Sequence, residues 1–396
     1  MTVRIFDTAQ RRVVTLEVGP MVSMYVCGIT PYDSTHLGHA ATYLAYDLLI
    51  RRLEELGHEV RMVRNVTDVD DSILPKAREL GVPYLELAAE ELARFRSDMD
   101  ALGMRPPIAE PRATEAIDGM IEMIGQLLDD DHAYLTHGTV YFDVSTFERF
   151  GELSHYSPEH MVKLARARGG RPDDPHRRDP LDFVLWQPSL PDEPAWRAPF
   201  GVGRPGWHVE CSVMAIQNLG PTLDLHGGGT DLIFPHHECE IAQSESVTGQ
   251  PFSRFWMHSA MVSYEGEKMS KSLGNLVFVS DLLEKTDPRA IRLALMRHHY
   301  RAGFEWYDTD LDEGTALLHR LAAAAQRDTG SDPRPFADQV RAALDDDLNA
   351  PRALEALDDL ASAILSGGDD SSAPGALRDL ASLIGVDLDI AVDTTK

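Results

Sequence analysis

Alternation of apolar and polar positions gives the first readable element. In residues 21–27, MVSMYVC, Val22, Met24 and Val26 face away from Ser23, Tyr25 and Cys27, which is the period of a strand. Residues 40–56, AATYLAYDLLIRRLEEL, switch to helical spacing with good helix formers, and Gly57 stands where a helix C-terminus takes a glycine. The stretch 58–71, HEVRMVRNVTDVDD, predicts a second strand running into an acidic loop. Strand, loop, helix and strand make a βαβ unit, so the expected class is α/β with a parallel sheet.

Further along, a helix is expected from Ala113 to Asp130, strands over 138–145 and 182–187, and an Arg-, Gly- and Pro-rich loop over 166–180. This region differs in texture from what precedes it and reads as an insertion, at about 113–200, in a catalytic unit spanning 1–289. The α/β pattern returns over 206–220 and 222–246. From about Ala290 the chain is rich in Ala and Leu at helical spacing, so residues 290–396 are expected to form a helical domain. SGGDDSSAP, 366–374, reads as a flexible loop between its last helices.

The bulk numbers narrow the classes. A chain of 396 residues calls for more than one structural unit. No apolar run is long enough to cross a bilayer, and MTVRIFDTAQRRVV lacks the apolar core of a signal peptide, so a cytoplasmic protein with no membrane partner is expected. Three cysteines, Cys27, Cys211 and Cys239, do not suggest a disulfide framework. The net charge of −27 lowers the prospect of nucleic-acid binding through backbone phosphates, and the acidity peaks near the end, in DDDLNAP and SGGDDSSAP.

Several stretches carry candidate chemistry. His36 and His39, in HLGH, would share a face on the first turn of a helix, where exposed N–H groups suit phosphate. Gly38 between them would let a ligand approach the backbone. Taken alone, two such histidines more often cap and pack. Only six lysines occur in the chain, and two of them, Lys268 and Lys271, flank small polar residues in EKMSKSLGN, a pattern able to clamp a polyphosphate. Cys27, Cys211 and the HHECE run (His236, His237, Glu238, Cys239, Glu240) offer zinc donors, provided the fold brings distant segments together. His236 and Glu240, four apart, would share a helical face, with His237 and Cys239 pointing elsewhere. HGGGTD, 226–231, would let a base or ribose press on glycine backbone, with Asp231 accepting hydrogen bonds. GVGRPG, 201–206, matches a dinucleotide fingerprint formally, but no strand is expected before it and Pro205 sits where a helix should open.

Together these stretches resemble one family. HLGH with a distant KMSKS is similar to the signature pair of class I aminoacyl-tRNA synthetases. The detailed match is to their cysteinyl branch, through CGIT-YD, RNVTDVDD, GRPGWHVECS, HGGGTDLIFPHHECEIAQSE, KMSKSLGN and DDDLNAP, spread over residues 25–351. Within that branch the chain looks more like the mycothiol-pathway cysteine ligases than the cysteinyl-tRNA synthetases. His39 stands where the synthetase has the Asn of HIGN, GITPYD replaces GPTVYD, and the acidic remainder suits no tRNA-binding tail. A short cysteinyl-tRNA synthetase is the rival enzyme reading, and a non-catalytic synthetase-like binding protein the rival from another class. One departure stands out: the ERGGDP-like segment of the ligases reads ARGGRP here, with Ala167 and Arg171 replacing both acids.

The resemblance implies a Rossmann-like catalytic domain with an inserted subdomain, followed by helices. It implies joining L-cysteine, activated by ATP and Mg²⁺ as cysteinyl-adenylate, to the amine of glucosaminyl-inositol, by a monomer with tRNA no expected partner. His36, His39, Lys268 and Lys271 would serve the phosphates. Gly229, Thr230, Asp231 and Val262 would hold the adenosine end. Gly28, Ile29, Thr30, Thr42, Asn65, Val66, Thr67 and Trp207 would line the cysteinyl-adenylate pocket. Zinc would be held by Cys27, Cys211 and His236, with Glu240 a weaker fourth and His237 behind them. Asp231 and His237 are the two candidates for the base that takes the amine's proton.

Overall fold

The chain begins with a hairpin: β1 (Arg4–Asp7) pairs antiparallel with β2 (Arg12–Thr15). The structure is a computed structural model, and it describes residues 2–32, 35–269 and 274–392. After the hairpin comes the expected βαβ unit: β3 (Met21–Ile29), α1 (Leu37–Glu55) and β4 (Glu59–Val66). Gly57 follows α1 at φ +91°, and its amide bonds to Glu54 O, the glycine ending anticipated for this helix. Two helices without an expectation come next, α2 (Ile73–Leu80) and α3 (Tyr84–Ala101), and then α4 (Ile117–Asp129).

The region of different texture is antiparallel, which explains the difference. β5 (Ala133–Thr136), β6 (Thr139–Phe142), β7 (Phe183–Gln187), β8 (Trp196–Ala198) and β9 (Gly201–Pro205) form one sheet in the order β5-β6-β7-β9-β8. Between β6 and β7, α5 (Pro158–Ala167) ends inside the stretch expected to be loop. GVGRPG proves to be β9 itself. A short strand, β8, does precede it, contrary to expectation, but the glycines serve strand packing: a Cβ on Gly203 would lie 2.2 Å from Gln187 O, and one on Gly206 2.0 Å from Val184 O.

Then α6 (Trp207–Leu219), β10 (Leu223–Gly229), α7 (Glu238–Thr248) and β11 (Ser253–Ser259) complete the main sheet, a parallel one in the order β11-β10-β3-β4. The crossover through α1 carries the chain from β3 outward to β4. The crossover through α7 carries it from β10 outward to β11. The two halves therefore diverge between β3 and β10, and a crevice opens there at the strands' carboxyl ends, the standard ligand position of an open parallel sheet. After the sheet come β12 (Val262–Tyr264), β13 (Glu267–Lys268), α8 (Val279–Leu283), α9 (Pro288–Met296), β14 (Phe304–Glu305) and the helices α10 (Asp308–Ala325), α11 (Arg334–Asp345), α12 (Ala350–Ser366) and α13 (Ala373–Leu383). One apolar core joins α1 and its side of the sheet to these last helices, through Leu48, Leu49, Leu293, Leu318 and Leu357. A second core lies on the other side, around α4, α6 and the antiparallel sheet.

Candidate functional site: a buried Cys/His/Glu cluster at the sheet's switch point

The crevice is built by local irregularities at strand ends. β3 and β4 pair regularly from Met21 to Val26, lose register, and pair again at Ile29 and Val66. The irregularity falls on Cys27 and Gly28, and such bulges re-aim side chains. Asn65 fixes it: Gly28 N–H donates to Asn65 Oδ1 at 2.8 Å, and Asn65 Nδ2 donates to Thr67 Oγ1 at 3.0 Å. Any side chain on Gly28 would collide with Asn65, since its Cβ would fall 1.7 Å from Asn65 O. Ile29 is buried beside Val66, and Thr30 Oγ1 donates to Asp70 at 3.1 Å.

Cys27, so aimed, meets Cys211 from α6 and His236 and Glu240 from the turn that leads into α7. Their ligand atoms all lie within 4.8 Å of one another, and all four residues are buried. His236 Nε2 is 3.1 Å from Glu240 Oε1, and Cys27 Sγ is 3.8 Å from the same oxygen. Trp207, one helical turn before Cys211, stacks on the His236 ring at 4.0 Å. Glu240 supplies one of the four ligand atoms inside that 4.8 Å. His237 does not point elsewhere: its Nε2 is 3.3 Å from Cys27 Sγ, and Cys27, His226, His237 and Glu240 form a second, overlapping donor set. The reason is position, since His237 and Glu240 are three apart and also neighbours on a helical surface. Cys239 is buried in apolar surroundings and belongs to neither set.

A shell of histidines backs the cluster. His226 Nε2 contacts Glu240 Oε2 at 2.9 Å, His208 meets His236 at 2.9 Å, and His237 Nδ1 meets His258 Nε2 at 2.8 Å. Thr8, from the hairpin, ends that last chain at His258 Nδ1, 2.7 Å away. Burial pushes His208, His226 and His258 down to about 3, and His236 and His237 well below the usual range, so all five rings are neutral and fit to be ligands or their supports. Burial, with Cys211 and Glu240 alongside, pushes the Cys27 thiol well up, and burial does the same to Glu240. Left to themselves, Cys27 and Glu240 hold their protons. A divalent cation is what would let two thiols and a carboxyl ionise in so dry a place, and two sulfurs, a nitrogen and an oxygen are a donor set that zinc accepts. The residues present therefore fit a metal.

The other predicted residues stand around the same crevice. His36 caps α1: its Nδ1 accepts from Gly38 N–H at 3.1 Å. In the neutral ring the proton then sits on Nε2. The His36 and His39 rings stack at 3.9 Å. Gly38 leaves room for the His36 ring, since a Cβ there would meet His36 Cε1 at 2.8 Å. Thr42 Oγ1 donates back to Gly38 O at 3.0 Å. The segment after the lysine pair is tied to this turn: Leu37 N–H donates to Val277 O and Val279 N–H to Thr35 O. Lys268 pairs with Ser263 in the sheet, and Lys271 lies outside the described residues. Gly229 ends β10, Thr230 and Asp231 form the turn beyond it, and Val262 is buried in β12. The HGGGTD glycines give room to protein groups: Cβ atoms on Gly227, Gly228 and Gly229 would meet Tyr46, Leu232 and Asp231 at 2.3, 2.6 and 2.5 Å. Glu210 was not anticipated. It is fully buried beside Cys211, and neither carboxylate oxygen has a hydrogen-bond partner among the described residues. Its signal in the sequence is a carboxylate between Val209 and Cys211 on the buried side of α6.

Known proteins match this architecture. The family described as "tRNA synthetases class I (C) catalytic domain" matches residues 14–316. The L-cysteine:1D-myo-inositol 2-amino-2-deoxy-alpha-D-glucopyranoside ligase of Thermobispora bispora is 48% identical over 390 residues, 98% of this chain and 96% of that one. The chain belongs to this ligase family. The ligase family's member from Mycobacterium ulcerans is 47% identical, over 97% of this chain and 95% of its own length. Among solved structures, methionyl-tRNA synthetase of Mycobacterium tuberculosis in complex with methionyl-adenylate aligns with 92% of this chain and 89% of its own at a TM-score of 0.65. At 18% identity, that likeness speaks for the class I synthetase fold alone. No described helix is long and apolar enough to cross a membrane.

Proposed function

We propose that the chain joins L-cysteine to the amine of 1D-myo-inositol 2-amino-2-deoxy-alpha-D-glucopyranoside at the expense of ATP, as its relatives are named for doing. A cysteine carboxylate oxygen attacks the α-phosphorus of ATP, and the bond to pyrophosphate breaks. The sugar amine then attacks the acyl carbon of the cysteinyl-adenylate; the C–N bond forms, AMP departs, and the amine loses a proton. Such a reaction needs positioning and charge stabilisation more than covalent help from the protein.

His36 and His39 hold phosphate oxygens, and Lys268 and Lys271, with Mg²⁺, neutralise the departing pyrophosphate. Gly229, Thr230, Asp231 and Val262 keep the adenosine end, and Thr30, Thr42, Trp207 and the Asn65–Thr67 turn border the cysteinyl moiety. Zinc held by Cys27, Cys211 and His236, with Glu240 the weaker candidate donor, would leave its fourth position to a substrate thiolate, which zinc takes well where it takes a hydroxyl poorly, and that separates cysteine from serine. The observation that supports this reading most is the four-donor cluster lying at the same strand-end crevice as the stacked histidines.

The test supplies ATP and labelled cysteine and offers glucosaminyl-inositol and tRNA separately. The expected result is label on glucosaminyl-inositol in step with AMP release. Label on tRNA, with none on the sugar, would overturn the assignment.

A further inference from the structure

Beside the cluster lies a cavity of about 650 Å³ whose walls come from the antiparallel sheet, the start of α6 and the Arg168–Arg171 loop. Trp207 and His208 form the edge nearest the cluster; Trp207 is 38% exposed there while stacking on His236. At the far wall Tyr141 donates to Asp174 at 2.9 Å, and the Arg177 guanidinium lies 5.2 Å from the Tyr141 ring centre. Arg177 Nη1 donates to Asp182 O at 2.7 Å, while its Nε is buried without a hydrogen-bond partner among the described residues. A third wall carries Arg204, paired with Asp71 and with Glu193 at 3.2 Å. The loop's own Arg168 reaches Asp231 O at 2.5 Å, closing the side toward the turn after β10.

The volume suits a molecule of one or two rings. The lining limits its chemistry. Arginines (Arg168, Arg171, Arg177, Arg204) and carboxylates (Asp71, Asp174, Glu193) nearly balance on the lining, so it favours neither a bare anion nor a bare cation, and an apolar ligand would strand the charged groups without water. Acceptors and donors interleaved on one surface, with aromatic faces between them, match a neutral ring bearing many hydroxyls. Hydroxyls donate to Asp174 and Asp71 and accept from Arg177 and Arg204, and the ring's C–H face packs on Tyr141 or Trp207.

We propose that this cavity binds the cyclitol and sugar rings of the acceptor, with the amine toward Trp207, and that Asp174 and Arg177 select it. This rests on the function proposed above. It also accounts for the altered loop: with Ala167 and Arg171 in place of two acids, recognition passes to carboxylates on the walls.

Steady-state kinetics of the full chain test it, using Asp174→Asn and Arg177→Met. Each is expected to raise the KM for glucosaminyl-inositol by about tenfold to a hundredfold, the loss of one charged hydrogen bond. The KM values for cysteine and ATP should stay within about twofold in pyrophosphate exchange, which also shows that the variants fold. Two results overturn the proposal: unchanged acceptor KM in both variants, or a parallel rise in the cysteine KM, which marks a structural role. Wild-type chain that forms adenylate but never charges glucosaminyl-inositol refutes the function itself. Wild-type charging with indifferent variants refutes only the cavity.

Discussion

At the scale of the residue, His36 shows how capping and binding coexist on one ring. One nitrogen satisfies the start of α1, and in the neutral ring the other carries the proton. Capping and ligand binding, which compete when the sequence is weighed alone, are compatible because an imidazole has two ends. Cys211→Ser should strip bound zinc from one ion per chain to nearly none and abolish cysteine-dependent pyrophosphate exchange, with the far-ultraviolet circular dichroism unchanged; retained exchange would refute the metal's role. Lys271→Ala should slow adenylate formation by about 10²- to 10³-fold with the cysteine KM unaltered, the size seen when one charge-stabilising group is lost; pre-steady-state pyrophosphate release measures it. The cluster was legible in part. His236 and Glu240 follow from helical spacing, but their meeting with Cys27 and Cys211 came through family resemblance, because no local spacing links strand ends about 200 positions apart. The supporting His208, His226 and His258 stayed hidden, since they lie in three different elements that no local spacing joins.

At the scale of the element, α1 is fastened to the sheet by two tyrosine hydroxyls, and Tyr43 donates to Cys27 O at 3.1 Å. Tyr46 donates to Gly228 O at 3.0 Å and Met257 O at 2.7 Å, spanning β10 and β11 where the crevice begins. Tyr46→Phe should cost about 1–3 kcal/mol in urea unfolding, since buried carbonyls lose their donor. On α3, Asp98 is buried against Thr35, and burial pushes its carboxyl up to about 6. The folded chain therefore holds this proton at a pH where the unfolded chain releases it, so folding stability falls as pH rises from about 4 to 6. Asp98→Asn should flatten that part of the profile, and urea titrations at several pH values would reveal it. The strands and helices with clean periodicity were readable: β3, α1, β4 and the helices after Ala290. The hairpin is two four-residue strands, and α2 and α3 meet at Gly81 and Pro83, punctuation that was not weighed. The antiparallel sheet showed as a change of texture and two expected strands, over 138–145 and 182–187, because its strands are too short for period to tell direction.

At the scale of the whole molecule, the late helices are bound to the sheet by more than apolar packing. Arg292, on α9, is fully buried; it donates to Ile384 O at 2.7 Å and Leu102 O at 3.1 Å and pairs with Asp47 of α1. Gly385 leaves room for it, at φ +77°, where a Cβ would touch the guanidinium at 2.4 Å. Arg292→Met should destabilise the chain by about 3–5 kcal/mol, because Asp47 is left buried and only partly compensated by Arg51. Nearby, Arg289 donates to the carbonyls of Asp387, Ile390 and Ala391 and anchors the last described turn. The Arg292 guanidinium thus touches α1 at Asp47, the end of α3 at Leu102 and the end of α13 at Ile384. Heat has no seam to open between them: calorimetry should trace a single endotherm, with the last helices melting together with the sheet rather than ahead of it.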